Sequence, residues 1–166
     1  MLHHNGLCST GQSPQCENHK KIALDTFENI IRRQHNWKRE HIKAYPGTRN
    51  RKNVSLPTTL CNLSLELEYI IGKKSVNGFI PGLVCEVMNV FYQPSLGLIL
   101  ENVYEDGSFC DSFEGRTMNP GHTIAAMWFI VVLGKRMQDE ALITKVCTIM
   151  SNTLEYSWDK EFGDIF

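Results

Sequence analysis

The chain has 166 residues, of which 42% are hydrophobic and 21% charged, with a formal charge of −1. This is ordinary globular composition, and one domain is the expectation. So small a net charge makes no electrostatic case for nucleic acid or an anionic membrane surface, and no apolar run approaches a membrane span. The six cysteines include no C-x-x-C pair. Reduced thiols in a cytoplasmic protein are the simpler reading, although an even count also permits disulfides.

Residues 1–17 hold Gly, Ser, Pro, Gln and Cys without a hydrophobic period and read as a flexible leader. His3, His4, Cys8, Cys16 and His19 fit none of the common zinc spacings. A first helix is expected from about Glu17 to Arg33, with Ile22, Leu24, Phe27, Ile30 and Ile31 on its apolar side. From Arg32 to Lys52 there are eight Lys or Arg residues against one acid, Glu40. A solvated loop explains the run. As a nucleic-acid surface it lacks stacking aromatics beyond Trp37 and Tyr45.

A second helix is predicted over about Leu56 to Gly72, with Leu56, Leu60, Leu63, Leu67 and Ile70 repeating at three- and four-residue steps. A third is predicted near Pro81 to Tyr92, with Leu83, Val87, Val90 and Phe91 inward. The period then changes. Leu98 to Val103 and Ser108 to Phe113 flank Glu105-Asp-Gly107 and predict a short β-hairpin. A further helix is expected from about Asp139 to Ser157, with Leu142, Val146, Ile149 and Met150 inward. Tyr92 followed by Gly97 and Ile99 is echoed by Tyr156 followed by Gly163 and Ile165, which suggests a repeated helix-plus-β unit.

Between the hairpin and that last helix lies Glu114-Gly-Arg-Thr-Met-Asn-Pro-Gly-His122. Asn119 suits an N-cap and Pro120 the first helical position, since its missing N–H would be unpaired there anyway. His122 then sits on the first turn, where the helix dipole disfavours a cation and favours a neutral, proton-accepting imidazole. Helical spacing puts His122 on the face of Ala125, Ala126 and Phe129, expected to point inward. A core histidine bonded to a carbonyl is the plainer explanation of such a residue.

Asn119-Pro-Gly-His-x-Ile-x-Ala-x-Trp-Phe resembles the active-site helix of the N-acylglucosamine 2-epimerase family, also called renin-binding proteins. The likeness extends to Ala44-Tyr-Pro-Gly-Thr-Arg49, Asn62-Leu-Ser-Leu-Glu-Leu-Glu68, Gly97-Leu-Ile-Leu-Glu-Asn102 and Leu154-Glu-Tyr-x-Trp-Asp-Lys-Glu-Phe-Gly163. It therefore implies an all-α fold for residues 18–166: part of an (α/α)6 toroid, about five helices with a short β-hairpin. Faces that neighbouring helix pairs of a ring would cover are expected to be apolar and open.

The resemblance implies epimerisation of an amino-sugar substrate at C2. The ring opens to the aldehyde, one base removes the C2 proton, and a proton returns from the opposite face. It assigns His122 as a catalytic base and places the second histidine beyond Phe166. Tyr45, Arg49, Arg116 and Trp128 are candidate substrate contacts, although Arg116 also reads as a loop arginine and Trp128 as a core residue. No metal or redox cofactor is implied. ATP is an activator in some members, and a homodimer, or pairing with a complementary segment, is expected. Family members carry a glutamate three residues after the histidine, where this chain has Ala125. That loss, with the second histidine, points to impaired activity of this chain. The alternative is a non-catalytic remnant or interaction protein derived from the same family. Asp111 and Glu114 read poorly as a glycosidase pair, because strand alternation would set them on opposite faces.

Overall fold

The computed structural model describes residues 14–34 and 51–165, with side chains described over 17–32 and 51–165. The chain divides into two compact units, residues 1–46 and 47–166. The first contributes helix α1, Pro14–Gln34, which begins upstream of the expected Glu17 and makes residues 14–17 helical. Most of the expected leader, with His3, His4 and Cys8, and all of the basic run from 35 to 50 lie outside the described residues.

The second unit runs β1 (Arg51–Asn53), α2 (Ser55–Glu66), α3 (Glu68–Ile71), α4 (Lys73–Glu86), β2 (Tyr92–Gln93), β3 (Leu98–Ile99), β4 (Asn102–Tyr104), α5 (Pro120–Met137), α6 (Glu140–Ser157), β5 (Trp158–Asp159) and β6 (Asp164–Ile165). A π-helical turn, Val87–Phe91, continues α4 to the start of β2. The fold is all-α, with strands only in short antiparallel pairs. No described helix is long and apolar enough to cross a membrane.

The predicted second helix is present but broken at Leu67, and it stops at Gly72, whose φ of 88° no other residue type adopts readily. Its buried stripe is Pro57, Leu60, Cys61 and Ser64, rotated from the leucine stripe expected, with the Ser64 hydroxyl donating to the Leu60 carbonyl. The third helix starts at Lys73 rather than at Pro81. Val76 and Ile80, both fully buried, extend its apolar stripe upstream, and that burial outweighs the N–H the proline lacks. Leu83, Val87 and Phe91 are inward as expected, while Val90 is half-buried.

The β excursion is present, with its partners exchanged. The Glu105–Gly107 turn forms, with the Tyr104 N–H donating to the Ser108 carbonyl at 3.0 Å. Ser108 to Phe113 is nevertheless not a strand. It folds back in turns so tight that a Cβ on Gly115 would lie 1.9 Å from the Cys110 carbonyl oxygen. Leu98–Ile99 instead pairs with Tyr92–Gln93 across a turn closed by Gly97 (φ 68°), and Asn102–Tyr104 pairs with Arg51–Asn53.

The repeat seen in the sequence is real in three dimensions, with one shift of register. Trp158, rather than Tyr156, is the counterpart of Tyr92: Tyr92 pairs with Ile99 and Trp158 with Ile165. Each turn has a positive-φ glycine, Gly97 and Gly163, whose N–H donates to Gln93 and Asp159 at 2.9 and 2.8 Å.

Helices α5 and α6 form a tight hairpin, and α5 also packs on α2. Met127, Ile130, Leu133, Val146 and Ile149 fill their interface with almost no exposed surface. At this density each large side chain contributes about 2–5 kcal/mol against truncation to alanine. That rigid pair positions the residues below.

Candidate functional site

Helix α5 starts as its sequence demands. Asn119 is extended (φ −108°, ψ 109°), its side-chain oxygen accepts the His122 N–H at 3.1 Å, and Pro120 occupies the first turn. The outward direction of His122 differs from expectation. The helix buries Thr123, Ala126, Met127, Ile130, Val131, Leu133 and Gly134, a stripe displaced around the helix from the expected inward face. His122 and Ala125 are exposed and Phe129 is half-buried, so of the expected set only Ala126 is in the core. The cause is the pairing with α6 and α2, which draws Thr123, Met127 and Ile130 inward. The imidazole is 65% exposed, which removes the core-histidine explanation.

A carboxylate stands against it all the same. Glu101 Oε1 lies 3.0 Å from His122 Nδ1, and the Glu101 side chain is only 11% exposed. That carboxylate comes from the segment between β3 and β4, whereas position 125 is an alanine. The sequence did carry a signal. Glu101 interrupts the apolar run Leu98-Ile-Leu-Glu-Asn-Val103, and a charge inside a buried run requires a partner. Leu98, Ile99, Leu100 and Val103 are all buried around it.

Arg116 is exposed and pairs with Asp111 at 2.7 Å, a surface ion pair worth roughly 0–1 kcal/mol. It lines a hollow of about 300 Å³ with Phe113, Thr117, Met118, Pro120, Tyr156 and Ser157; neither His122 nor Trp128 is in that lining. Trp128 is 57% exposed and is not a core residue. Tyr45 and Arg49 lie outside the described residues. Asp111 and Glu114 have separate partners, Glu114 pairing with Arg51 at 3.3 Å. Among the described residues no three His, Cys, Asp or Glu side chains converge as metal ligands.

Beyond this region, burial pushes the Cys61 thiol up to about 12. The Ser112 hydroxyl beside Cys110 draws that thiol below its ordinary value. The guanidinium of Arg136, which takes both oxygens of Glu68, holds that carboxyl below the usual carboxylate range.

An all-α scaffold here offers an open imidazole on the first turn of a helix with a sheltered carboxylate beside it, an arrangement chemically able to pass a proton. The family model for N-acylglucosamine 2-epimerase (GlcNAc 2-epimerase) matches residues 86–166, which include every residue of this pair. Bovine N-acylglucosamine 2-epimerase is 35% identical over 154 residues, covering 87% of this chain and 35% of the bovine one. The rat and mouse N-acylglucosamine 2-epimerases are each 36% identical over 70 residues, 42% of this chain and 17% of theirs. The chain belongs to the N-acylglucosamine 2-epimerase family, and it spans about a third of the bovine relative's length.

Proposed function

We propose that this chain carries one of the two proton-transfer groups of an N-acyl-amino-sugar 2-epimerase, and that His122 is that group. The observation that supports the reading is the open imidazole on the first turn of α5, within the Asn-Pro-Gly-His motif. In the open-chain sugar the C2–H bond breaks and its proton passes to the imidazole. The bonding pair moves toward C1 and charge develops on the aldehyde oxygen. Reprotonation on the same face regenerates the substrate, while reprotonation on the other face gives the 2-epimer. No electron leaves the sugar, so the step needs no redox cofactor; this reading includes no metal, and ATP enters it only as an activator. Arg116 and Trp128 are substrate contacts in this reading.

The test is solvent exchange. Purified chain is incubated with N-acetylglucosamine or N-acetylmannosamine in D2O and the C2 proton signal is followed. One base on one face suffices for exchange, so deuterium enters C2 with the native chain and not with His122→Asn. Exchange that is equal in the two proteins removes His122 from the chemistry.

A second reading is a family member that binds without turnover. It is favoured by Ala125 and by the open aromatic side chains of Phe113, Tyr156 and Phe162, each at least 60% exposed. It predicts sugar-dependent stabilisation with no exchange.

A further inference from the structure

The pair Glu101–His122 has two ends of unequal freedom. The imidazole is open, whereas the carboxylate is sheltered and its backbone is fixed on both sides. The Glu101 N–H donates to the Thr117 carbonyl at 3.2 Å, and the Glu101 carbonyl accepts from Val54 N–H at 3.0 Å. The preceding residue is tied as well, Leu100 N–H donating to the Phe91 carbonyl at 3.0 Å. His122 is held through its own N–H by Asn119. Neither partner has to search for the other.

An ionised carboxylate only accepts hydrogen bonds, so a carboxylate 3.0 Å from Nδ1 requires the proton on Nδ1. In neutral imidazole that leaves the lone pair on Nε2, the other ring nitrogen. Isolated imidazole side chains prefer the opposite tautomer, so the protein has to impose this one. We propose that Glu101 is the positioning residue of His122. Its carboxylate holds the ring as the Nδ1–H tautomer and turns Nε2 outward as the base. It does from the β3–β4 segment what a glutamate at position 125 would do from the helix. The catalytic consequence rests on the proposed role of His122; the tautomer does not.

The test reads the ring directly. Long-range 1H–15N correlation spectra of 15N-labelled chain, taken where the imidazoles are neutral, distinguish the two tautomers, and His122→Asn assigns the signal among the six histidines. The native chain shows His122 with Nδ1 protonated and Nε2 bare. Glu101→Ala shifts the population toward the Nε2–H form. Adding Ala125→Glu to Glu101→Ala restores the Nδ1–H form, because residues three apart on a helix are neighbours. A native chain with His122 already in the Nε2–H form overturns the proposal, and that measurement needs no variant to fold. Unchanged tautomers in a folded Glu101→Ala chain overturn it too. In the exchange assay, Glu101→Gln lowers kcat by about a hundredfold or more with little change in KM. No sugar enters the spectroscopic test. A correct tautomer without C2 exchange therefore defeats the epimerase reading alone, and exchange with the wrong tautomer defeats this one alone.

Discussion

The side-chain oxygen of Asn119 accepts the backbone N–H of His122 at 3.1 Å, so the residue bearing the imidazole is also the one whose amide closes the first turn of α5. Capping and site geometry are thereby one contact. Asn119→Ala should cost about 1 kcal/mol of stability, the usual loss for a missing N-cap, and Asn119→Asp or Ser should recover most of it. Urea unfolding monitored by circular dichroism measures this. If alanine were as stable as asparagine, the cap would be ornamental and another contact would fix the start of α5.

That start was legible because capping is local chemistry: Asn119, Pro120 and His122 are near neighbours in sequence, and their relation needs no knowledge of the rest of the fold. The start of α6 is capped in the same way, the Asp139 side chain accepting the Leu142 N–H at 2.9 Å. What the sequence hid depends on partners far along the chain. Glu101 meets His122 across an intervening turn, and Asn102–Tyr104 finds its strand partner at Arg51–Asn53. The outward turn of His122 was hidden for a related reason. Apolar residues surround α5, and which of them face inward is decided by where α2 and α6 lie.

Glu68 and Arg136 join α3 to the C-terminal end of α5, with the Asn77 side chain as a third partner at 2.8 Å. The Glu68 carboxyl is lowered in the folded chain, chiefly by its hydrogen bond from Arg136. A depressed carboxyl binds fewer protons folded than unfolded, so its contribution is complete above the unfolded value of about 4.3 and is lost as pH falls through the folded value. The stability difference between native chain and Glu68→Gln should be constant from pH 7 to about 5 and shrink on further acidification. Denaturant midpoints taken down to pH 2 test this. A difference that stays flat across the acid range would mean that the pair has no linkage to folding.

The described cysteines divide by burial. Cys61 and Cys110 are buried and Cys85 and Cys147 exposed, all four as free thiols. Thiolate is the reacting species, and Cys61 with its value near 12 supplies almost none at neutral pH. A brief pulse of iodoacetamide at pH 7.5 should modify Cys85 and Cys147 and spare Cys61 and Cys110 until denaturant is added. Peptide mass spectrometry reads the order. Cys110 is the informative site, since Ser112 favours its thiolate while burial blocks the reagent. Early modification of Cys110 would show that the Ser108 to Phe113 segment opens in the native chain.

At Gly134 helix α5 lies close against Ile143 of α6. A Cβ there would lie 2.9 Å from Ile143 Cγ1, and that atom is close to the backbone rather than at the end of a flexible chain. Two effects oppose each other in Gly134→Ala. Helix propensity favours alanine by about 0.5–1 kcal/mol, and overpacking costs about 1–3 kcal/mol. The steric cost outweighs the propensity gain, so the variant should be less stable by about 1 kcal/mol, which lowers the midpoint of a thermal melt by about 2–4 °C for a domain of this size. The cause can be separated from a general loss of packing by Ile143→Ala, which removes Cγ1. In that background Gly134→Ala should be neutral or stabilising, because only the gain in helix propensity remains. A coupling of about 0.5 kcal/mol or more between the two positions identifies the contact as the origin. Additive losses would place the strain elsewhere, in the turn that Gln138 closes with its φ of 58°.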